Sequence, residues 1–225
     1  AFAALNLIDL HGLREIWRVS RTEFIFALIS MWGAISLGVL SGVVIAIAGT
    51  LLHVLLKEMR PRVALLGRIA GRPGFYKLHR SERAAPVPGM VIFLVQGSIL
   101  FFNTDFLRDR FESVAQAAPP GTHWFLVDAS AVAQVDTTAV AMLQKLRADL
   151  SQLGLTLVLA ELHREPWEIL QRAGFFEGPE ATMVFDDVED AVSALAGREP
   201  GTAAQPAPAG IGSKGPAGEG RAGSV

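Results

Sequence analysis

The residues of this chain whose types and spacing could carry chemistry are few. Asp128 and Asp136 lie eight positions apart around the predicted end of one strand and the start of the next helix, a placement that would suit a carboxylate pair for acid catalysis or cation binding. Hydrogen bonding in the loop and at the helix start is the stronger reading for both. Asp136 precedes Thr137 and Thr138 just before an apolar stripe at helical spacing, as an N-cap does, and Asn103 before Thr104-Asp105 suits the same role. His53 is the one titratable group in a long apolar run and is expected at its interfacial end, near Lys57, rather than at a functional site. The acidic run Asp186, Asp187, Glu189 and Asp190 reads as the dipole-favoured start of a helix, not as metal ligands. Trp167 and Phe175-Phe176 read as core packing and a helix-end contact rather than a docking patch. The chain has no cysteine, which removes disulfides and thiolate metal sites. The soluble part shows no Gly-rich phosphate loop, nucleophile elbow, His-Glu metal motif or basic nucleic-acid patch. No cofactor, metal or nucleic-acid partner is expected, and an enzyme is not.

These residues sit in a chain of two unlike halves. Hydrophobic residues make up 51% of it, mean hydropathy is +0.37, and Phe24 to Leu56 form 33 residues without a formal charge, where about 20 cross a bilayer as a helix. Arg14, Arg18 and Arg21 precede this run and Lys57, Arg60, Arg62 and Arg68 follow it, so both flanks read as cytoplasmic. Two cytoplasmic flanks require an even number of passes. The stretch Gly38-Val39-Leu40-Ser41-Gly42 offers a break, giving two helices of roughly 15 residues, each about 22 Å and too short to span alone. Such a V-shaped or re-entrant pair needs other membrane helices to cover it.

Residues 1–87 hold 11 lysines and arginines against 5 acidic residues, and residues 88–197 hold 6 against 15, so the basic half is the membrane-proximal one. The apolar stretch Ala1 to Leu10 is read as the end of a preceding membrane helix, and no secretory signal pattern is present. Leu10 to Arg21 alternates apolar and basic residues, as an interfacial or connecting helix would. The expected organisation is a connecting segment over 1–21, two short transmembrane helices over 22–57, a basic linker over 58–86 with one short strand at Phe75 to Leu78, an α/β domain over 87–197, and a disordered Gly/Pro/Ala-rich tail over 198–225.

Within the domain, strands are predicted at Val91–Val95, Ile99–Phe102, Trp124–Val127, Thr156–Ala160 and Met183–Phe185. Helices are predicted from Leu107 to Ala118, through Val140 to Leu153, from Pro166 to Gly174 and from Asp187 to Ala196. Alternation of this kind implies a mixed, mostly parallel sheet covered by helices.

Val127-Asp128-Ala129-Ser130-Ala131-Val132, then Val135-Asp136-Thr137-Thr138-Ala139, then Leu153-Gly154-Leu155-Thr156-Leu157-Val158-Leu159-Ala160 resemble the STAS domain that ends sulfate permease (SulP) anion transporters. Leu100-Phe101-Phe102-Asn103 resembles the same family. So do Leu7-Ile8-Asp9-Leu10, Trp17-Arg18-Val19-Ser20-Arg21-Thr22-Glu23-Phe24 and the double apolar helix, which are similar to the last two membrane helices of these permeases. The resemblance implies a membrane hairpin followed by a cytosolic STAS domain, in a multi-pass homodimeric transporter of the inner membrane. It implies transport of sulfate, bicarbonate, chloride or a dicarboxylate, with the anion bound by the remaining transporter helices and by no residue of this chain. In stand-alone STAS proteins, the antagonists of anti-sigma factors, the turn reads Asp-Ser-x-Gly and its serine is phosphorylated. Thr137 holds that serine's place, and Ala139 replaces the glycine. The resemblance therefore marks Asp136, Thr137 and Thr138 as a regulatory turn beside the capping reading, and leaves a membrane-tethered signalling module that binds a regulatory protein as the alternative to a transporter.

Overall fold

The computed structural model describes residues 14, 17–177 and 182–196. The readings for 1–10 and for the tail beyond 197 lie outside the described residues. Two compact units divide the chain at Met59 and Arg60.

The first unit is a helical hairpin of α1 (Arg21–Leu37) and α2 (Val39–Glu58). Gly38, at φ 89°, breaks the helix, a backbone angle that costs a glycine little and any other residue more. The expected symmetric split is corrected here: α2 has 20 residues, about 30 Å of helix and long enough to span. Only Gly38 is needed for the turn, because Ser41 and Gly42 remain helical. Gly42 serves the packing instead, since a Cβ there would stand 2.6–2.7 Å from Ala34 backbone atoms and the Ala34 methyl. Ser30 Oγ donates to Gly42 O at 3.4 Å, and Phe26 meets the His53 ring edge-on at 5.5 Å, so the helices run antiparallel. Small residues let two backbones approach in this way where no hydrophobic drive separates helix from lipid. The outward positions are apolar, with Trp32 70% and Leu40 80% exposed.

The second unit is a six-stranded sheet in the order β2-β1-β3-β4-β5-β6. Its strands are β1 (Arg62–Gly67), β2 (Tyr76–Lys77), β3 (Met90–Gln96), β4 (Trp124–Asp128), β5 (Thr156–Ala160) and β6 (Met183–Phe185). β3 to β6 pair in parallel, and β1 is antiparallel to both β2 and β3. The helices are α3 (Thr104–Gln116), α4 (Thr137–Gln152), α5 (Arg164–Arg172) and α6 (Val188–Leu195).

Side chains alternate across a strand, and the core divides accordingly. Phe125 and Val127 of β4 pack with Leu107, Phe111, Leu143, Leu146 and Leu170 from α3, α4 and α5. Trp124 and Leu126 pack with Val188, Ala191 and Val192 of α6 on the opposite face. Both faces are covered, which is why β3, β4 and β5 read as unbroken apolar runs.

Two expectations are corrected. The basic linker over 58–86 contains β1, a six-residue strand of the sheet, because Val63 to Leu66 bury against β3 although arginines flank them. Ile99–Phe102 is not a strand: Ile99 makes an isolated bridge to Val135 and residues 101–103 turn into α3, for a reason found in the site below.

The turn after α5 is held from α4. Arg147 Nη1 donates to Phe175 O at 2.7 Å, and its guanidinium lies 4.9 Å from the Phe175 ring centroid. Arg147→Met keeps the aliphatic stem and loses both contacts, so denaturant unfolding should show a loss of about 1–2 kcal/mol. An unchanged midpoint would remove Arg147 from the account of this turn.

Candidate functional site

The turn before α4 is where the sequence candidates converge. Asp136 takes an extended backbone (φ −102°, ψ 177°) and caps α4, its Oδ1 accepting from Ala139 N at 2.8 Å. Its other oxygen, Oδ2, accepts from Phe101 N at 2.6 Å. The carboxylate thus ties the helix start to the loop after β3. Ile99 N donates to Gln134 O at 3.0 Å and Asp136 N to Ile99 O at 3.4 Å, so two loops distant in sequence form one small ladder.

Asn103 is 2% exposed and stands at the N-cap position of α3, but its side chain makes no cap bond. Instead its Oδ1 accepts from Leu100 N at 3.0 Å and its Nδ2 donates to Ser98 O at 3.0 Å. Its expected capping role is corrected to a brace on the loop. Thr104 Oγ1 adds a bond to Phe101 O at 3.1 Å. These bonds explain why Leu100 to Phe102 form a turn and not a strand. They also push Phe101 outward, 67% exposed, beside the exposed Thr137 and Thr138.

Asp128 is not a helix cap either. It is 6% exposed and its Oδ1 accepts from Ser130 N at 3.0 Å, a local turn bond. Asp128 and Asp136 therefore serve different loops and form no carboxylate pair.

Asp128 instead faces a cleft of about 490 Å3 at the carboxyl ends of the strands, with Gln96, Ser130, Glu161 and Asp187 among its walls. Glu161 has no counterpart among the sequence candidates. It holds a left-handed backbone at φ 56°, its N–H donates to Phe185 O at 3.2 Å, and the Nε2–H of the nearby His163 donates to Ser130 O at 2.8 Å. Loss of hydration raises the pKa of Glu161 above the ordinary carboxylate range, and the charges of Asp128 and Asp187 push the same way. A carboxyl raised in the folded state binds more protons folded than unfolded, so stability rises as pH falls through the folded pKa and levels off below the unfolded value. Above the folded pKa the charged carboxylate costs stability. Glu161→Gln should flatten that part of the pH–stability curve, just above the ordinary carboxylate range, and stabilise the chain at neutral pH; an unchanged slope would refute the assignment.

No group of three or more His, Cys, Asp or Glu residues with metal-binding geometry occurs among the described residues. Asp187 caps α6 by accepting from Asp190 N at 2.6 Å, and Glu189 pairs with Arg68. Asp187 and Glu189 of the acidic run are committed to the helix start and to that ion pair.

Residues 83–191 match the STAS domain family. The chain is 30% identical over 194 residues to a probable sulfate transporter of Mycobacterium tuberculosis, covering 86% of this chain and 35% of that protein. It is 29% identical over 209 residues to probable sulfate transporter 3.3 of Arabidopsis thaliana, covering 88% and 33% respectively. The chain thus spans about a third of the length of the curated relatives it matches. Among solved structures, the murine Slc26a9 anion transporter in the inward-facing state shares the fold with a TM-score of 0.74 at 20% identity, covering 86% of this chain and 31% of that one. The hairpin and the sheet domain are matched together, in their covalent order. Residues 83–191 are thus a STAS domain, and the chain is similar to the third of these sulfate transporters in which an apolar helical hairpin runs into that domain.

Proposed function

We propose that this chain is the C-terminal portion of a secondary-active anion transporter of the sulfate, bicarbonate or dicarboxylate class. One observation carries the reading: the match to proteins named as sulfate transporters runs through hairpin and domain alike, over 86% of the chain. Residues 22–57 act as the last membrane hairpin of an inner-membrane protein, in the relatively immobile, dimer-forming part of a homodimer. The anion binds to helices outside this chain, between half-helix N-termini, and moves by alternating access. The STAS domain faces the cytoplasm, supports the dimer and regulates transport through a partner protein. No enzymatic step is assigned to it. Uptake of labelled anions into proteoliposomes holding the full-length protein tests the reading; no uptake across sulfate, bicarbonate and dicarboxylates would sink it.

A second reading, a membrane-tethered signalling module, draws on the exposure of Thr137 and Thr138 at the start of α4. A phosphate there would meet free N–H groups and the positive end of the helix dipole. The two readings separate on the gene upstream of Ala1: some ten further apolar helices support the transporter, an initiator methionine just before Ala1 the module. Intact mass after incubation with cell extract tests Thr137 in either case, and an unmodified chain counts against phosphorylation.

A further inference from the structure

At the amino ends of the parallel strands, the opposite end of the sheet from the α4 turn, a cavity of about 540 Å3 opens between the last turn of α3 and the segment that leads from Leu78 through Pro86 into β3. Leu65, Leu78, Val91, Val114, Pro88 and Pro120 form much of its wall, and no charged side chain lines it. The cavity is open to solvent on one side, and its volume falls in the range of ligand pockets, roughly 300–1,000 Å3.

A smaller chamber of about 260 Å3 shares Leu65, Leu78 and Val114 with the first and adds His79 and Arg110. Neither chamber is lined by an acidic side chain. Arg108 is bridged to Asp105 and Glu112. Arg110 lies over the Phe106 ring at 5.5 Å and pairs with no carboxylate among the described residues. An uncharged apolar chamber that opens beside two basic side chains complements a molecule with one hydrocarbon chain and one anionic head. A two-chain lipid exceeds the larger chamber, and a single peptide side chain would leave most of it empty.

We propose that the two chambers bind a long-chain fatty acid, its hydrocarbon chain in the larger chamber and its carboxylate at Arg110 and His79. Burial of the methylenes drives binding, and the guanidinium fork orients the head. The site is separate from transport and from the α4 turn, so failure of either reading leaves it testable.

The full chain in lipid nanodiscs, irradiated with a diazirine-bearing palmitate and digested, should yield crosslinks on peptides covering 86–92 and 113–122, and excess oleate should remove them. Val114→Trp fills the larger chamber and should abolish these crosslinks while leaving far-ultraviolet circular dichroism and the thermal unfolding midpoint unchanged. Leu78→Trp plugs the same space from the opposite wall and serves if Val114→Trp misfolds. Arg110→Gln should weaken oleate competition about tenfold, the order of one charge-assisted hydrogen bond. Crosslinks confined to α1 and α2, or domain crosslinks that survive both plugs, would overturn the proposal. So would a fatty-alcohol probe that labels the domain as well as the acid does.

Discussion

Phe111→Ala is expected to cost the chain about 3–5 kcal/mol of unfolding free energy, the range for removing a buried phenyl ring. Phe111 is fully buried and is the contact through which α3 holds the sheet. Its ring sits 4.7 Å from that of Phe93 on β3 and 6.0 Å, edge-on, from that of Phe125 on β4. Phe93 and Phe125 in turn stack at 6.0 Å across the parallel pair. Such aromatic contacts add to the area term, and the neighbours that would have to collapse into the vacancy are strand side chains fixed by the ladder. α3 has only Leu107 and Ala115 beside Phe111 as fully buried apolar anchors, so the helix cannot shift its load elsewhere. Phe111→Leu should recover more than half of the loss. Denaturant unfolding in detergent, followed by near-ultraviolet circular dichroism, measures both; a loss below about 1 kcal/mol for the alanine variant would show that α3 is not anchored there.

The legible parts of this molecule were those whose burial left a period in the sequence. Val140, Leu143, Leu146 and Leu150 lie on one buried face of α4, and their spacing of three and four announced the helix. Phe125 to Val127 and Leu157 to Leu159 are buried on both faces, and their continuous apolar runs announced parallel strands. β1 hid because a short antiparallel strand near the sheet edge needs few apolar residues, and the surrounding arginines made the segment look like a linker. Ile99 to Phe102 misled for the opposite reason. Its apolar run resembles a strand, but Asn103 and Asp136 spend its backbone groups on side-chain bonds, which no periodicity records. Glu161 left no trace, since a left-handed backbone at a glutamate has no signature in residue type. The motif residues were found in the right place and given partly wrong work. Asp136 caps its helix, whereas Asn103 braces a loop and Asp128 closes a local turn.

Asp136→Ala should therefore do more than uncap a helix. Loss of the cap alone costs roughly 0.5–2 kcal/mol. The same change leaves Phe101 N without its carboxylate, a charge-assisted bond of about 1.5–3 kcal/mol when the donor finds no replacement. Water can reach the exposed Phe101 backbone and repay part of that second term, so the expected total is about 2–4 kcal/mol. Asp136→Asn separates the two contributions. An amide oxygen still accepts from Ala139 N and keeps the cap, because asparagine is as good an N-cap as aspartate. The amide NH2 then faces the Phe101 N–H, two donors with no acceptor between them, and the ladder between the loops opens. Asp136→Asn should thus keep α4 in hydrogen exchange while speeding exchange at Ile99, Phe101 and Asp136 itself. Asp136→Ala should speed exchange at Ala139 as well. If both variants protect residues 99–101 as the parent does, Asp136 is a helix cap only. If the loop amides are released in both, any partner that binds the α4 turn reads the Phe101 loop with it, because one carboxylate holds the two surfaces in register.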